Sequence, residues 1–191
     1  MKVVAINGSA RKDGNTATLV GKVFEELEGE GIRTELVQLA GQELKGCIAC
    51  FRCFQNLDRK CAVMGDYVNE CIEKMDNADG IILASPTYFA TVTTELKALM
   101  DRAGMVAIAN GNMFARKVGA AVVSARRGGA VTVFDTINRF FFIEEMVVPG
   151  SSYWNFGIGL HPGEVEADEE GLGTMAKLGK NMSWLLKKLN V

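Results

Sequence analysis

This sequence predicts an α/β architecture, a doubly wound parallel sheet with helices on both faces. Three observations lead to it. Short runs such as KVVAI, GIILA and KVGAAVVS recur, and their pattern is apolar rather than alternating, as in strands buried on both faces. Segments with apolar residues at helical spacing lie between them, the alternation that builds parallel sheets through crossovers. The stretches that follow the strands carry the unusual residues, and ligands gather at the carboxyl ends of the strands in such sheets.

In chain order, Lys2 to Ile6 reads as a buried strand that stops at Asn7-Gly8-Ser9. The loop continues to Asn15, and Thr16 to Leu27 then spaces Leu19, Val20, Val23, Phe24 and Leu27 as one helix face. Arg33 to Leu39 alternates as a second strand, followed by a cysteine loop and a helix from about Tyr67 to Asn77. Gly80 to Ala84 is a third strand that ends at Ser85-Pro86, with a helix from Thr93 to Gly104 behind it. Lys117 to Ser124 is the fourth strand, 130–145 is helical, Met146 to Val148 is read as the fifth strand, and 169–189 closes the chain as a helix. Within 138–148 three phenylalanines, Phe140 to Phe142, point in different helical directions, which suggests a subunit interface or ordinary core packing.

The 191 residues fit one domain, 1–191, with the cysteine loop 46–62 inserted in it. Apolar content of 48% supplies a sizeable core, and 21 basic against 23 acidic residues give no reason to expect nucleic acid or an acidic membrane as partner. The start MKVVAINGSA is too short and too soon polar for a signal-peptide core, and no apolar run reaches a membrane span. The expectation is a cytoplasmic protein whose five cysteines stay reduced and bind metal or do redox chemistry, rather than forming structural bridges.

The loop after the first strand, Gly8 to Thr16, brings together two glycines, the side chains of Ser9, Arg11, Asn15 and Thr16, and a helix N-terminus. These are the ingredients of a phosphate cradle, though neither the Walker nor the G-x-G-x-x-G pattern is present. The plainer alternative is a turn in which Asn15 or Thr16 caps the helix. The segment VVAINGSARKDGNT resembles the FMN phosphate loop of the flavodoxin-like NAD(P)H-dependent FMN reductases, with G-S-x-R-x-x-G-N-T intact. The resemblance implies a five-stranded sheet of order 2-1-3-4-5, with Ser9, Arg11, Asn15, Thr16 and the backbone at Gly14 holding the FMN phosphate. The loop after the third strand, Pro86-Thr87-Tyr88-Phe89, resembles the segment of the same family that lies against the isoalloxazine. Ser124, Gly128 and Gly129 after the fourth strand stand where the family contacts the far side of the flavin. Arg126 and Arg127 are solvent-exposed there or meet NAD(P)H phosphate.

Between Gly46 and Cys61 the sequence GCIACFRCFQNLDRKC places Cys47, Cys50 and Cys53 at a strict spacing of three, with Cys61 after seven more residues. Zinc knuckles use two separated Cys-x2-Cys pairs, whereas three cysteines in one run can wrap three corners of a cubane, and a loop of seven can return a fourth. Zinc and a set of cluster-free thiols remain open on spacing alone. The pattern Cys-x2-Cys-x2-Cys-x7-Cys is similar to that of the iron–sulfur flavoproteins, a branch of the same reductase family, and the likeness extends through the ending HPGEVEADEEGLGTMAKLGKNMSWLL. It implies a [4Fe–4S] cluster on Cys47, Cys50, Cys53 and Cys61. Cys71 lies on an apolar helix face with Val68, Ile72 and Met75 and reads as core.

The function so implied is electron transfer between the cluster and FMN. Its donors would be a ferredoxin-type protein or NAD(P)H, its acceptors quinones or oxygen species, and its assembly a homodimer or homotetramer. A cluster-free NAD(P)H-dependent FMN or quinone reductase and a flavodoxin-like electron carrier are the alternatives. His161, the single histidine, reads as structural or exposed; no acid–base set is needed where cofactors carry the chemistry.

Overall fold

The computed structural model describes residues 1–189. The first strand, β1 (Lys2–Asn7), is followed by α1 (Asn15–Gly29) and β2 (Arg33–Gln38), then by a short helix α2 (Cys53–Asn56) and by α3 (Val68–Asp76). Next come β3 (Gly80–Pro86), α4 (Thr94–Ala109), β4 (Val118–Ala125) and α5 (Ala130–Ile143). The chain closes with β5 (Phe156–Ile158), a 3₁₀ turn over Glu164–Ala167 and α6 (Glu169–Leu189). All sheet pairs are parallel, in the order β2-β1-β3-β4-β5, as expected.

Successive side chains of the central strands go to opposite faces, and this divides the core. Val3 and Ala5 of β1 and Ile82 and Ala84 of β3 pack under α1 and α6, against Leu19, Val23, Leu178 and Met182. Val4, Ile6, Ile81 and Leu83 pack under α3, α4 and α5. Cys71 joins this second cluster with no exposed surface; burial first, then the charge of Glu70, pushes its thiol up to about 12. It is a packing residue, as read from the sequence. Of the three phenylalanines, Phe140 and Phe141 are buried and Phe142 is exposed, so only one leaves the core.

The fifth strand is a correction. Met146–Val148 does not form it: Val147 makes only an isolated bridge to Val118, at the lower end of β4, before Pro149 and Gly150 turn the chain away. The strand is Phe156–Ile158, paired with Val123–Ala125 at the upper end of β4. Its centre, Gly157, gives no strand signal in the sequence, yet a Cβ there would come within 2.7 Å of Leu19 and of Val165. Close packing of α1 on the sheet demands the glycine, which conceals the strand. Similarly, Gly104 does not end α4, which runs on to Ala109; a Cβ at Gly104 would meet Glu144 at 2.9 Å, so the glycine admits α5 at close range.

Candidate functional site

Loops at the carboxyl ends of β1, β3, β4 and β5 surround a cleft that encloses about 540 Å³ of atom-free space, partly open to solvent. Its floor is the β1–α1 loop, held by a closed set of hydrogen bonds. Asn7 accepts from Ser9 N–H at 3.0 Å and donates to Gln38 at 2.7 Å, and Gln38 donates back to the Ser9 carbonyl at 2.7 Å. Ser9 Oγ accepts from Arg11 N–H, so the loop is fixed without any ligand.

Gly14 occupies the N-cap of α1 and offers no side chain to the free N–H groups of Asn15 and Thr16, which find no acceptor among the described residues. No acidic residue stands in the first turn. An uncapped helix N-terminus that opens into a cleft attracts an anion. Arg11 stands beside it, with one N–H donated to the Leu160 carbonyl at 2.9 Å. Thr16 Oγ1 and Ser124 Oγ share a hydrogen bond of 2.8 Å across the cleft floor, and Asn15 Oδ1 accepts from Val165 N–H. Asn15 therefore ties α1 to the β5–α6 connection, and neither it nor Thr16 caps the helix.

The wall above is Pro86-Thr87-Tyr88. Thr87 is held to the Ser124 carbonyl by its N–H at 2.8 Å and by its hydroxyl at 3.1 Å. Tyr88 and Thr91 exchange backbone hydrogen bonds around a tight turn in which Phe89 and Ala90 both have positive φ. Left-handed conformations at two residues other than glycine store strain, and such strain gathers at ligand sites.

Ser9, Arg11, Gly14, Asn15 and Thr16 from the first loop line the cleft, with Pro86, Thr87, Tyr88 and Ser124 from the others. Phe89, Gly128 and Gly129 are not among its lining. Phe89 projects wholly into solvent, Gly128 is exposed, and Gly129, at φ +85°, packs under Thr87 and Ala90. Arg126 does line the cleft, together with Ala125, Gly159 and Leu160. The last two went unread because they follow Phe156–Ile158; placing that strand correctly would have put its loop on the ligand edge. His161 is exposed beyond them.

A second cavity lies along α4. All four cysteines of the loop line it, with Arg102, Met105 and Val106 of α4. Ala49 and Phe51, both at positive φ, turn the chain between the first three cysteines, and Leu57 and Arg59, also left-handed, return it to Cys61. Asn69 fixes Cys61 through its backbone, accepting from the N–H at 2.8 Å and donating to the carbonyl at 2.9 Å. The cysteines are free thiols; Cys47 and Cys50 are exposed, Cys61 is half-buried and Cys53 is buried. Burial raises the Cys53 pKa, with Cys61 and Cys50 adding to the rise and local backbone N–H groups opposing it. The thiols share a cavity without converging on a point: among the described residues no three His, Cys, Asp or Glu side chains stand close enough to hold a single metal ion.

Arg102 was not singled out in the sequence. It is buried and forms an ion pair with Asp66, whose side chain is likewise shielded from solvent. Burial works to raise the Asp66 pKa, but hydrogen bonds from Arg102 and Lys45 outweigh it and hold the carboxyl below its ordinary value. A basic residue within the apolar stripe Leu99, Met100, Ala103 and Val106 was the available signal.

A family model described as NADPH-dependent FMN reductase matches residues 1–161. The chain is 41% identical over 194 residues to an iron–sulfur flavoprotein of Methanocaldococcus jannaschii, a match that covers 98% of each chain. It is 34% identical over 191 residues to an iron–sulfur flavoprotein of Methanosarcina thermophila, covering 98% of this chain and 96% of that one. Among solved structures, RosB with a bound 8-demethyl-8-formylriboflavin-5'-phosphate intermediate superposes with a TM-score of 0.76 at 18% identity, over 100% of this chain and 80% of that one. An archaeal flavodoxin superposes at 0.62 and 16% identity, over 98% and 99%. These two likenesses concern the fold.

Proposed function

The chain belongs to the NADPH-dependent FMN reductase family, in its iron–sulfur flavoprotein branch, and is a flavin-dependent oxidoreductase; on that premise we propose that it holds FMN in the cleft and a [4Fe–4S] cluster in the cysteine cavity, and passes electrons between them. The observation that carries this reading is that one chain holds two separate prepared sites. One is an uncapped helix N-terminus opening into a cleft, and the other is a cavity lined by four free thiols.

The residues fit both groups. In the cleft, the N–H groups of Asn15 and Thr16 and the Arg11 guanidinium would take the phosphate, as hydrogen bonds to a charged group contribute about 1.5–3 kcal/mol each. Thr16 and Ser124 hydroxyls, now bonded to each other, can turn to donate. Pro86 to Tyr88, pinned to Ser124, border the space left for a planar ring. In the cavity, the four free thiols of Cys47, Cys50, Cys53 and Cys61 are the ligand number and type that a [4Fe–4S] cluster takes. Once bound, FMN exchanges one or two electrons and the cluster exchanges one.

Electrons would come from a ferredoxin-type protein or from NAD(P)H, with Arg126 at the cleft edge a cation for the latter's phosphate, and would go to quinones or oxygen species. Free thiols at all five cysteines suit the reducing cytoplasm, and among the described residues no helix is long and apolar enough to cross a membrane. The placement of the two sites supports assembly as a homodimer or homotetramer. Arg102 lies eight residues into α4, roughly 12 Å along its axis from the end nearer the cleft, and the two sites share no lining residue. Exposed Ile48 and Phe51 line the cysteine cavity, with exposed Phe54, Leu57 and Met64 on the same stretch of chain, and exposed Tyr88 lines the cleft next to exposed Phe89. Apolar patches of this kind mark interfaces, and a second copy would bring one chain's cavity towards another's cleft.

The Cys50→Ala variant tests the assignment. Cys50 is exposed, so the fold should survive its loss. The expected result is loss of iron and of ferredoxin-linked flavin reduction with FMN retained; a variant that keeps both its iron and that activity contradicts the cluster.

A further inference from the structure

Arginine is almost never fully buried without a specific set of acceptors. Arg102 is 1% exposed, and every acceptor of its guanidinium belongs to the cysteine loop or its flank. Nε donates to Cys61 Sγ at 3.2 Å. Nη1 donates to the Lys45 carbonyl at 3.0 Å and to Asp66, and Nη2 to the Val63 carbonyl at 2.6 Å. Asp66 in turn accepts from Lys45 N–H at 2.9 Å, so the two ends of the loop close on one ion pair. Two carbonyls and a carboxylate would suffice for a structural clamp. The bond to sulfur is additional.

Building on the cluster reading above, we propose that Arg102 is a positioning residue that holds the Cys61 sulfur at the cavity wall and, through its Nε–H bond to that sulfur, raises the cluster's reduction potential. Reduction adds negative charge that spreads onto the thiolate sulfurs. A donor carried by a cation therefore stabilises the reduced cluster more than the oxidised one. Asp66 moderates the effect, because its charge offsets that of the guanidinium. The pair acts as a fixed dipole whose donor end meets the sulfur.

Two substitutions separate tuning from simple support. R102K keeps the charge but cannot reach four acceptors with one ammonium group. D66N keeps the guanidinium and removes the opposing charge. In anaerobically reconstituted holoprotein, the cluster potential is titrated by electron paramagnetic resonance with the bound FMN as internal reference. R102K is expected to shift the electron distribution about tenfold away from the cluster, equal to ~59 mV for one electron, and D66N to shift it towards the cluster. In the iron-free protein at alkaline pH, where access rather than ionisation sets the rate, R102K is expected to make Cys61 react about tenfold faster with a thiol reagent, followed by mass spectrometry of its peptide, a rate independent of any activity. Potentials that stay put, or that move the same way in both variants, overturn the tuning role. An unchanged Cys61 rate overturns the positioning role. Both of those failures leave the cluster reading standing, whereas wild-type protein that takes up no iron removes that reading and this inference together.

Discussion

Glu144 is the buried acid with no counterpart. It is 1% exposed where α5 ends against α4, and neither carboxylate oxygen finds a hydrogen-bond partner among the described residues. Burial first, and Glu145 second, pushes its pKa from 4.5 up to about 7. The folded protein therefore keeps this proton while the unfolded chain releases it, and stability falls as the pH rises from about 4.5 through 7. The loss amounts to about 3 kcal/mol once the pH exceeds both values. Glu144→Gln should remove this slope, so that the variant gains on wild type between pH 5 and pH 8 in thermal melts; parallel pH profiles would contradict it. Individual residues were unevenly legible in the sequence. The cysteines announce themselves by spacing and the phosphate-type loop by its glycines and polar side chains. Arg102 and Glu144 do not, because a charged residue acquires a partner, or lacks one, only through packing between elements distant in sequence.

Elements were read well where hydrophobic period dominates and poorly where close approach does. The strands β1, β3 and β4 carry near-continuous apolar runs because both faces are covered, and they were legible for that reason. The strand Phe156–Ile158 and the last turns of α4 were not, because Gly157 and Gly104 look like breaks and are contacts. The left-handed residues Ala49, Phe51, Leu57 and Arg59 in the cysteine loop carry no glycine to advertise them, so the path of the loop emerges only from the fold. The same logic predicts the weak point between α1 and α6. A Cβ at Gly179 would come within 2.7 Å of Glu26 Cβ and 2.8 Å of the Val23 carbonyl, neither of which can swing aside. Gly179→Val should cost about 1–3 kcal/mol, read as an earlier urea midpoint with an unchanged slope. A midpoint at the wild-type value would mean that the two helices are not packed as closely as described.

At the scale of the whole molecule, the sheet order places the cleft at the carboxyl ends of β1, β3, β4 and β5, and the crossover after β2 carries the cysteines down the flank of α4. The family resemblance led to that order, and the sequence pattern led to both loops. It did not reveal that the two sites would share no residue, a consequence of how far the cysteine loop travels before it returns to α3. Two prepared sites on one chain make sense if electrons move between them, and that claim is tested most directly by composition. Protein purified without oxygen should carry about four irons per chain with one flavin, and its visible spectrum should show broad cluster absorbance beneath the flavin bands that fades on reduction. Flavin with no iron after strictly anaerobic handling would contradict the account and leave the four thiols at Cys47, Cys50, Cys53 and Cys61 without a cluster to hold.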